Sequence, residues 1–319
     1  MNKRHAAPPR NLLMRVCFAL VMLSSFSLSW PSLGRITRVS VAADVPPKSM
    51  SCDLCADNWL FVLGAEGRTG TTTTMFTLRA VPGIELAGEH NGVLNEARVI
   101  YERLVALPRH VSAFSSPELD HDAFACTIQE LVKNMIFGKE RSEREPLTRI
   151  LGFKEIRYAT RSPDMLLFLL DMFPCARFIF SVRNNADVIN LAEKEFGKHA
   201  RKRWVYGREL VNLTHAAFPE RTMIFPVEEL TLDLYNRALN SLLKVTGCHF
   251  RAIDARNLRG QYSHEAPKQN QRKSRLLEGE CDLSLVDFRE SATRLARQKL
   301  SVIPELAERL KAVPHWETT

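Results

Sequence analysis

The segment from Leu60 to Met75 constrains the fold more than any other part of the chain. The apolar run Leu60 to Leu63 enters Gly64, Ala65, Glu66, Gly67, Arg68, Thr69 and Gly70, and four threonines, Thr71 to Thr74, follow. A strand buried on both faces reads as a continuous apolar run, and glycines let the backbone turn tightly toward a following helix. The same turn has the form of a phosphate cradle. Glycines allow close approach to an anion, successive N–H groups point into the turn, the helix N-terminus adds its positive end, and threonine hydroxyls donate as well.

From Asn58 onward, short apolar runs alternate with longer amphipathic segments, the pattern of a parallel sheet with crossover helices. Trp59 to Gly64 is predicted as the first strand and Thr71 to Ala80 as the helix after it. A second strand is expected at Ile84 to Ala87, with helices near Val93 to Leu107 and Phe124 to Phe137. Ile150 to Ile156 and Arg177 to Val182 read as strands joined through Pro163 to Phe173, one βαβ unit. Met223 to Val227 is another strand, and in Leu230 to Val245 the residues Leu232, Leu239, Leu242 and Leu243 fall at helical spacing. Arg256 to Gly279 is polar, basic and irregular, and Leu285 to Leu310 is expected to close the chain as a helix. The expected fold class is α/β, a three-layer parallel sheet with helices on both faces.

The first forty residues differ from the rest. Residues 1–11 form a basic tail, and residues 12–30 are apolar apart from Arg15 and scattered serines and so read as a signal anchor. A signal peptide cleaved near Ala42 and Ala43, and a plastid transit peptide, are the alternatives. Positive charge ahead of the apolar run would hold the N-terminus in the cytosol and make the chain a single-pass membrane protein facing the lumen of the Golgi or another secretory compartment. Residues 31–57 read as a stem, and residues 58–319 as one catalytic domain large enough for one substantial core.

The sequon Asn212, Leu213, Thr214 and the six cysteines beyond Cys17 fit a lumenal destination. Cys52 and Cys55 form a CxxC. With no second CxxC or His pair for zinc and no preceding strand for a redox site, a disulfide in the stem is the expectation. The formal charge of +8 suits a polyanionic ligand, and aromatics interleaved with the basic residues are too few for stacking nucleic-acid bases, so no nucleic-acid partner is expected.

A P-loop kinase or ATPase would carry a lysine immediately after the last glycine, but Thr71 stands there and the cation, Arg68, lies inside the loop. Here the sequence resembles the sulfotransferases that use 3′-phosphoadenosine 5′-phosphosulfate (PAPS), whose first nucleotide motif is a strand, a loop of the type GxxRSGTT and a helix. The resemblance implies that Arg68, Thr69, Gly70, Thr71, Thr72 and Thr73 hold the 5′-phosphosulfate, with PAPS as co-substrate and no metal. A second stretch, Arg177 to Phe196, looks like the family's 3′-phosphate motif, in which an arginine at a strand end is followed eight positions later by a serine. Arg183 matches the arginine. Leu191 stands at the serine position, with Asn190 beside it as a substitute donor. Val227, Glu228, Glu229 and Leu230 echo a downstream segment of the family and read as architectural.

Sulfuryl transfer needs a base for the acceptor hydroxyl and help for the leaving oxygen. Glu89 follows the second predicted strand, 21 residues beyond Arg68, at a place similar to the proposed base of the tyrosylprotein and related Golgi enzymes. His90 is the adjacent alternative, since cytosolic members use histidine. Lys154, a charge at the end of an apolar strand, would by the resemblance contact the bridging oxygen or the sulfuryl group; the plain reading is a salt bridge with Glu155. Arg157 and Arg161 would extend a positive wall. The basic run Lys268 to Arg275 reads either as a loop closing over the 3′-phosphate or as a solvated charge run, and His199, Arg201, Lys202 and Arg203 either as solvated charges or as a docking surface for an acidic substrate.

The activity expected is transfer to a hydroxyl of a glycan or protein tyrosine. Two readings compete. A nucleotide kinase or NTPase would need an acidic magnesium ligand, for which Asp171 on a predicted helix is poorly placed. A non-catalytic nucleotide-binding secretory protein is kept open by Leu191.

Overall fold

The computed structural model describes residues 52–65, 67, 69–106, 119–158, 163–183, 190, 193–194, 197, 200–253, 276–289 and 308. The basic tail, the apolar segment and the stem as far as Ser51 lie outside the described residues. So do Arg68, Arg161, Leu191, His199, the run Lys268 to Arg275, and residues 290–307 of the predicted closing helix.

Five parallel strands form one sheet in the order β2-β3-β1-β4-β5. They are β1 (Asn58–Gly64), β2 (Ile84–Ala87), β3 (Ile150–Glu155), β4 (Arg177–Val182) and β5 (Thr222–Pro226). The unbroken apolar run of β1 explains its place at the centre, because only a strand covered on both faces needs apolar side chains on both. Trp59, Phe61 and Leu63 enter one core, Leu60 and Val62 the other. β3 approaches closely because Gly152 pairs with Leu60, and a Cβ there would run into the Leu60 carbonyl.

The helices divide between the faces as the strand order requires. The step from β1 out to β2 passes through α1 (Thr71–Leu78), whose Met75 and Leu78 pack with Leu60 and Val62. Steps in the other direction use the opposite face: α2 (Leu94–Val105) and α3 (His121–Phe137) before β3, α4 (Pro163–Met172) before β4, and α5 (Ala200–Ala217) before β5. Reversing both direction and face keeps one hand of crossover throughout. After β5, α6 (Leu232–Arg237) and a π-helical turn (Ala238–Leu242) return to the α1 face. The chain thus adopts the expected α/β architecture, a parallel sheet between two helical layers.

Three features depart from the sequence expectations. First, Leu277 to Gly279 is not irregular: β6 (Thr246–Phe250) and β7 (Leu277–Asp282) form a separate antiparallel pair joined by the Cys248–Cys281 disulfide. β7 is polar and largely exposed, so it carries little apolar pattern. Second, Leu285 to Phe288 is not helical. The side chain of Asn58 ties it to β1, donating to Val286 O at 3.2 Å and accepting from Phe288 N at 2.9 Å. Third, the CxxC forms no disulfide of its own. Cys52 pairs with Cys126 on α3 and Cys55 with Cys175 just ahead of β4, so residues 52–57 are bound to the domain at two points.

Candidate active site

In an open parallel sheet, ligands bind beyond the carboxyl ends of the strands where neighbouring connections diverge. Here that place lies between β1, which leads out toward β2, and β4, which leads toward β5. The turn after β1 sits there. Ala65 N donates to Ser181 O of β4 at 3.0 Å, and Gly70 begins α1 in the left-handed region at φ 76°. A Cβ on Gly70 would lie 2.6 Å from Val227 Cγ2 and 3.3 Å from Leu230 Cδ1, so the turn rests directly on the segment after β5. That contact gives the Val227 to Leu230 echo an architectural role.

The first N–H groups of α1 have no partner within the helix, and no acidic residue occupies its first turn. Thr69, Thr71 and Thr73 are buried at the turn, Thr72 is half-buried, and Thr74 Oγ1 lies 3.2 Å from Tyr235 OH. The opening of the helix therefore presents donors and the positive end of the peptide dipoles, with no carboxylate in its own first turn.

Arg183 is the first residue past β4. Ser181, two positions earlier, pairs with Gly64, which puts Arg183 on the lip beside the turn. Asn190, the substitute donor of the sequence reading, is exposed, and its Oδ1 accepts from Arg201 at 3.4 Å. Arg201 also pairs with Glu193 at 3.1 Å.

On the other side of β1, Lys154 pairs in register with Val62 and so lies on the α1 face of the sheet. Its side chain is 9% exposed and its ammonium holds the carboxylate of Glu89, two residues past β2. The salt bridge with Glu155 does not form. Glu155 is on the opposite face, fully buried, and is occupied by Arg157 at 2.8 Å, the N–H of Ile156 at 2.9 Å and the N–H of Gly92 at 3.0 Å. Arg157 reaches across to Glu89 as well, at 3.0 Å. Burial alone would raise the Glu89 carboxyl; the hydrogen bonds and charges of Lys154 and Arg157 outweigh it and hold the group below its ordinary 4.5.

His90 is disposed differently from Glu89. Leu94 N donates to the Tyr158 hydroxyl at 3.0 Å, and that hydroxyl lies 3.2 Å from His90 Nδ1. The imidazole Nε2 is shielded from solvent and meets no hydrogen-bond partner among the described residues. The ring stands edge-to-face on Phe153, with centroids 4.4 Å apart. Burial pushes its pKa down past the opposing charge of Glu155, so the ring is neutral near pH 7. His90 thus braces the loop between β2 and α2, while Glu89 faces the cations.

Four strand ends therefore bring Glu89, Lys154, the turn and Arg183 to one edge. Sequence reasoning did not find the brace Glu155 and Tyr158, nor Ser181, a hydroxyl in an otherwise apolar strand whose anomaly was readable. Asp171 lies near the end of α4, opposite the edge where that helix begins, with its carboxylate 2.8 Å from His121.

No protein-family model matches the chain, and no curated protein matches it. Among solved structures, the chain is similar to a sulfotransferase domain from the curacin biosynthetic pathway at 16% identity and a TM-score of 0.37, covering 80% of this chain and 98% of that one. It is similar to a sugar kinase from Janibacter sp. HTCC2649 at 15% identity and a TM-score of 0.31, over 58% and 94% of the two chains. A sulfotransferase from Mycobacterium tuberculosis aligns at 15% identity with a TM-score of 0.30, over 69% and 76%.

Proposed function

We propose that the chain is a sulfotransferase that moves a sulfuryl group from PAPS to a hydroxyl of a glycan or protein acceptor. The observation that carries this reading is the contact of Glu89 with Lys154 beside a phosphate-type turn whose helix opens with threonine in place of lysine. A base and a cation are the two groups this transfer needs from the protein, and here they stand together at the edge where ligands of parallel sheets bind. The orphaned Ser181 hydroxyl and the uncapped α1 N-terminus fit an anion at the turn.

PAPS, when bound, supplies sulfur whose bond to the 5′-phosphate oxygen breaks as the acceptor oxygen bonds to it. The turn residues Thr69 to Thr73 would hold the 5′ end through N–H groups and hydroxyls, with Arg68 as their cation. Arg183 would take the 3′-phosphate, and Asn190 stands on the helical turn that follows. Glu89 accepts the proton of the acceptor hydroxyl. Lys154 neutralises the oxygen that keeps the electron pair. An anion seated on the turn competes with Glu89 for Lys154, so its arrival raises the basicity of Glu89 at the moment a base is required.

The work place we propose is the lumen of a secretory compartment, with the N-terminal segment as membrane anchor. Three disulfides among six cysteines and the exposed Asn212 of the sequon support it. The test is incubation of the purified chain with PAPS and a panel of glycans and tyrosine peptides. Acceptor-dependent release of 3′-phosphoadenosine 5′-phosphate, abolished in Lys154→Met, is the expected result; release with no acceptor in any class would overturn the assignment.

A further inference from the structure

Ser181 interrupts β4 one residue before its end, in the run Phe178, Ile179, Phe180, Ser181, Val182. The residue is 1% exposed, and its Oγ meets no hydrogen-bond partner among the described residues. Removing a hydroxyl from water without a partner is unfavourable, and folded proteins rarely tolerate it without a reason.

The surroundings supply one. Side chains alternate along a strand, so Ser181 shares a face with Ile179, the face covered by α1. Its partner across the ladder is Gly64, which has no side chain, so the space beside the hydroxyl is the base of the turn. The turn is tied to the same residue, since Ala65 N donates to Ser181 O at 3.0 Å. On the far side of β1, Lys154 occupies the same face through its pairing with Val62. Ser181 and Lys154 therefore flank the end of β1 from its two neighbouring strands.

We propose that Ser181 is a further ligand-binding residue of this edge, its hydroxyl donating to the 5′-phosphate end of a nucleotide seated on the turn. The sulfotransferase reading supplies the identity of that nucleotide; the place of the hydroxyl does not depend on it. A hydroxyl already withdrawn from water and unpaired among the described residues gives its hydrogen bond to an anion with no new desolvation of its own, and a bond to a charged acceptor is among the stronger ones.

The test is calorimetric titration of the full-length protein as wild type, Ser181→Ala and Ser181→Thr, with 3′-phosphoadenosine 5′-phosphate, adenosine 5′-monophosphate and adenosine 3′-monophosphate. Thermal unfolding of each ligand-free variant is measured beside it. Ser181→Ala is expected to weaken the two 5′-phosphorylated nucleotides by roughly tenfold or more, to leave adenosine 3′-monophosphate unchanged, and to melt no lower than wild type. Ser181→Thr, which keeps the hydroxyl, is expected to recover most of the affinity. Unchanged affinities in Ser181→Ala would overturn the assignment, and so would an equal loss for all three nucleotides with a lowered melting temperature. If wild type prefers ATP to the bisphosphate, the sulfotransferase reading fails, and the effect of Ser181→Ala on ATP decides the role of Ser181 by the same criterion. If wild type binds none of these nucleotides, both fall.

Discussion

The ammonium of Lys154, on β3, holds the carboxylate of Glu89, which lies just past the neighbouring strand β2. Arg157 supplies a second cation to that carboxylate at 3.0 Å. Carboxylate and ammonium are thus held against each other, and on the proposed function a bound anion would separate them. Glu89→Gln keeps the shape and removes the base. It is expected to lower the rate of transfer about 100-fold while bisphosphate affinity stays within a few-fold of wild type. Lys154→Met is expected to lower the rate similarly and to weaken the binding of PAPS as well. Equal rates for Glu89→Gln and wild type, by release of the bisphosphate product, would remove Glu89 from the base role.

The same pair sets an acid limit on stability. Because Lys154 and Arg157 outweigh burial and keep the Glu89 carboxyl below 4.5, the folded state binds its proton less readily than the unfolded chain does. The stabilisation is therefore complete above pH 4.5 and is lost as the pH falls through the folded value. Melting curves between about pH 3 and 7 are expected to converge for wild type and Glu89→Gln at the acid end. A constant gap across the range would mean that Glu89 is not held by its cations in solution.

Gly70 tests the turn. A side chain there would be strained twice, by the left-handed backbone at φ 76° and by Val227 Cγ2 at 2.6 Å. Gly70→Ala is expected to cost about 1–2 kcal/mol from the backbone alone and to weaken nucleotide binding. Adding Val227→Ala opens the space and is expected to restore part of the stability. If Gly70→Ala binds as wild type does, the turn is not the anion cradle.

Reduction tests the fastening of residues 52–57. The Cys55–Cys175 bond closes a separation of 120 residues and the Cys52–Cys126 bond one of 74. Loops of that size are worth about 4.5–5 kcal/mol each in the chain-entropy account. Reductant, or Cys55→Ala with Cys175→Ala, is expected to lower the melting temperature by several degrees; an unchanged value would mean that the pairing contributes nothing in solution.

The parallel sheet was legible because its three inner strands are buried on both faces and so read as mainly apolar runs, unbroken in Trp59 to Leu63. The turn was legible because few folds need Gly64, Gly67 and Gly70 together ahead of a threonine run. α5 went unread: its basic opening, Arg201 to Arg203, and the polar Thr214 obscure the buried stripe of Tyr206, Leu210 and Val211. Thr214 fits that stripe because its hydroxyl turns back to Leu210 O at 2.7 Å. The partners of Cys52 and Cys55 were beyond local pattern, since they lie 74 and 120 residues away. The sequence offered Lys154 a salt bridge with its neighbour Glu155 and did not show its contact with Glu89, 65 residues away. Strand alternation decides it, putting adjacent residues on opposite faces and leaving Glu155 to Arg157.

The most direct test is titration of the full-length protein with 3′-phosphoadenosine 5′-phosphate and with ATP plus magnesium, for wild type and Arg183→Ala in parallel. The 3′-phosphate is the group that tells a sulfotransferase site from a kinase site, and Arg183 is its assigned partner. Tight binding of the bisphosphate, lost in Arg183→Ala and absent for ATP, is the expected result. Preference for ATP, or bisphosphate binding indifferent to Arg183, would contradict it.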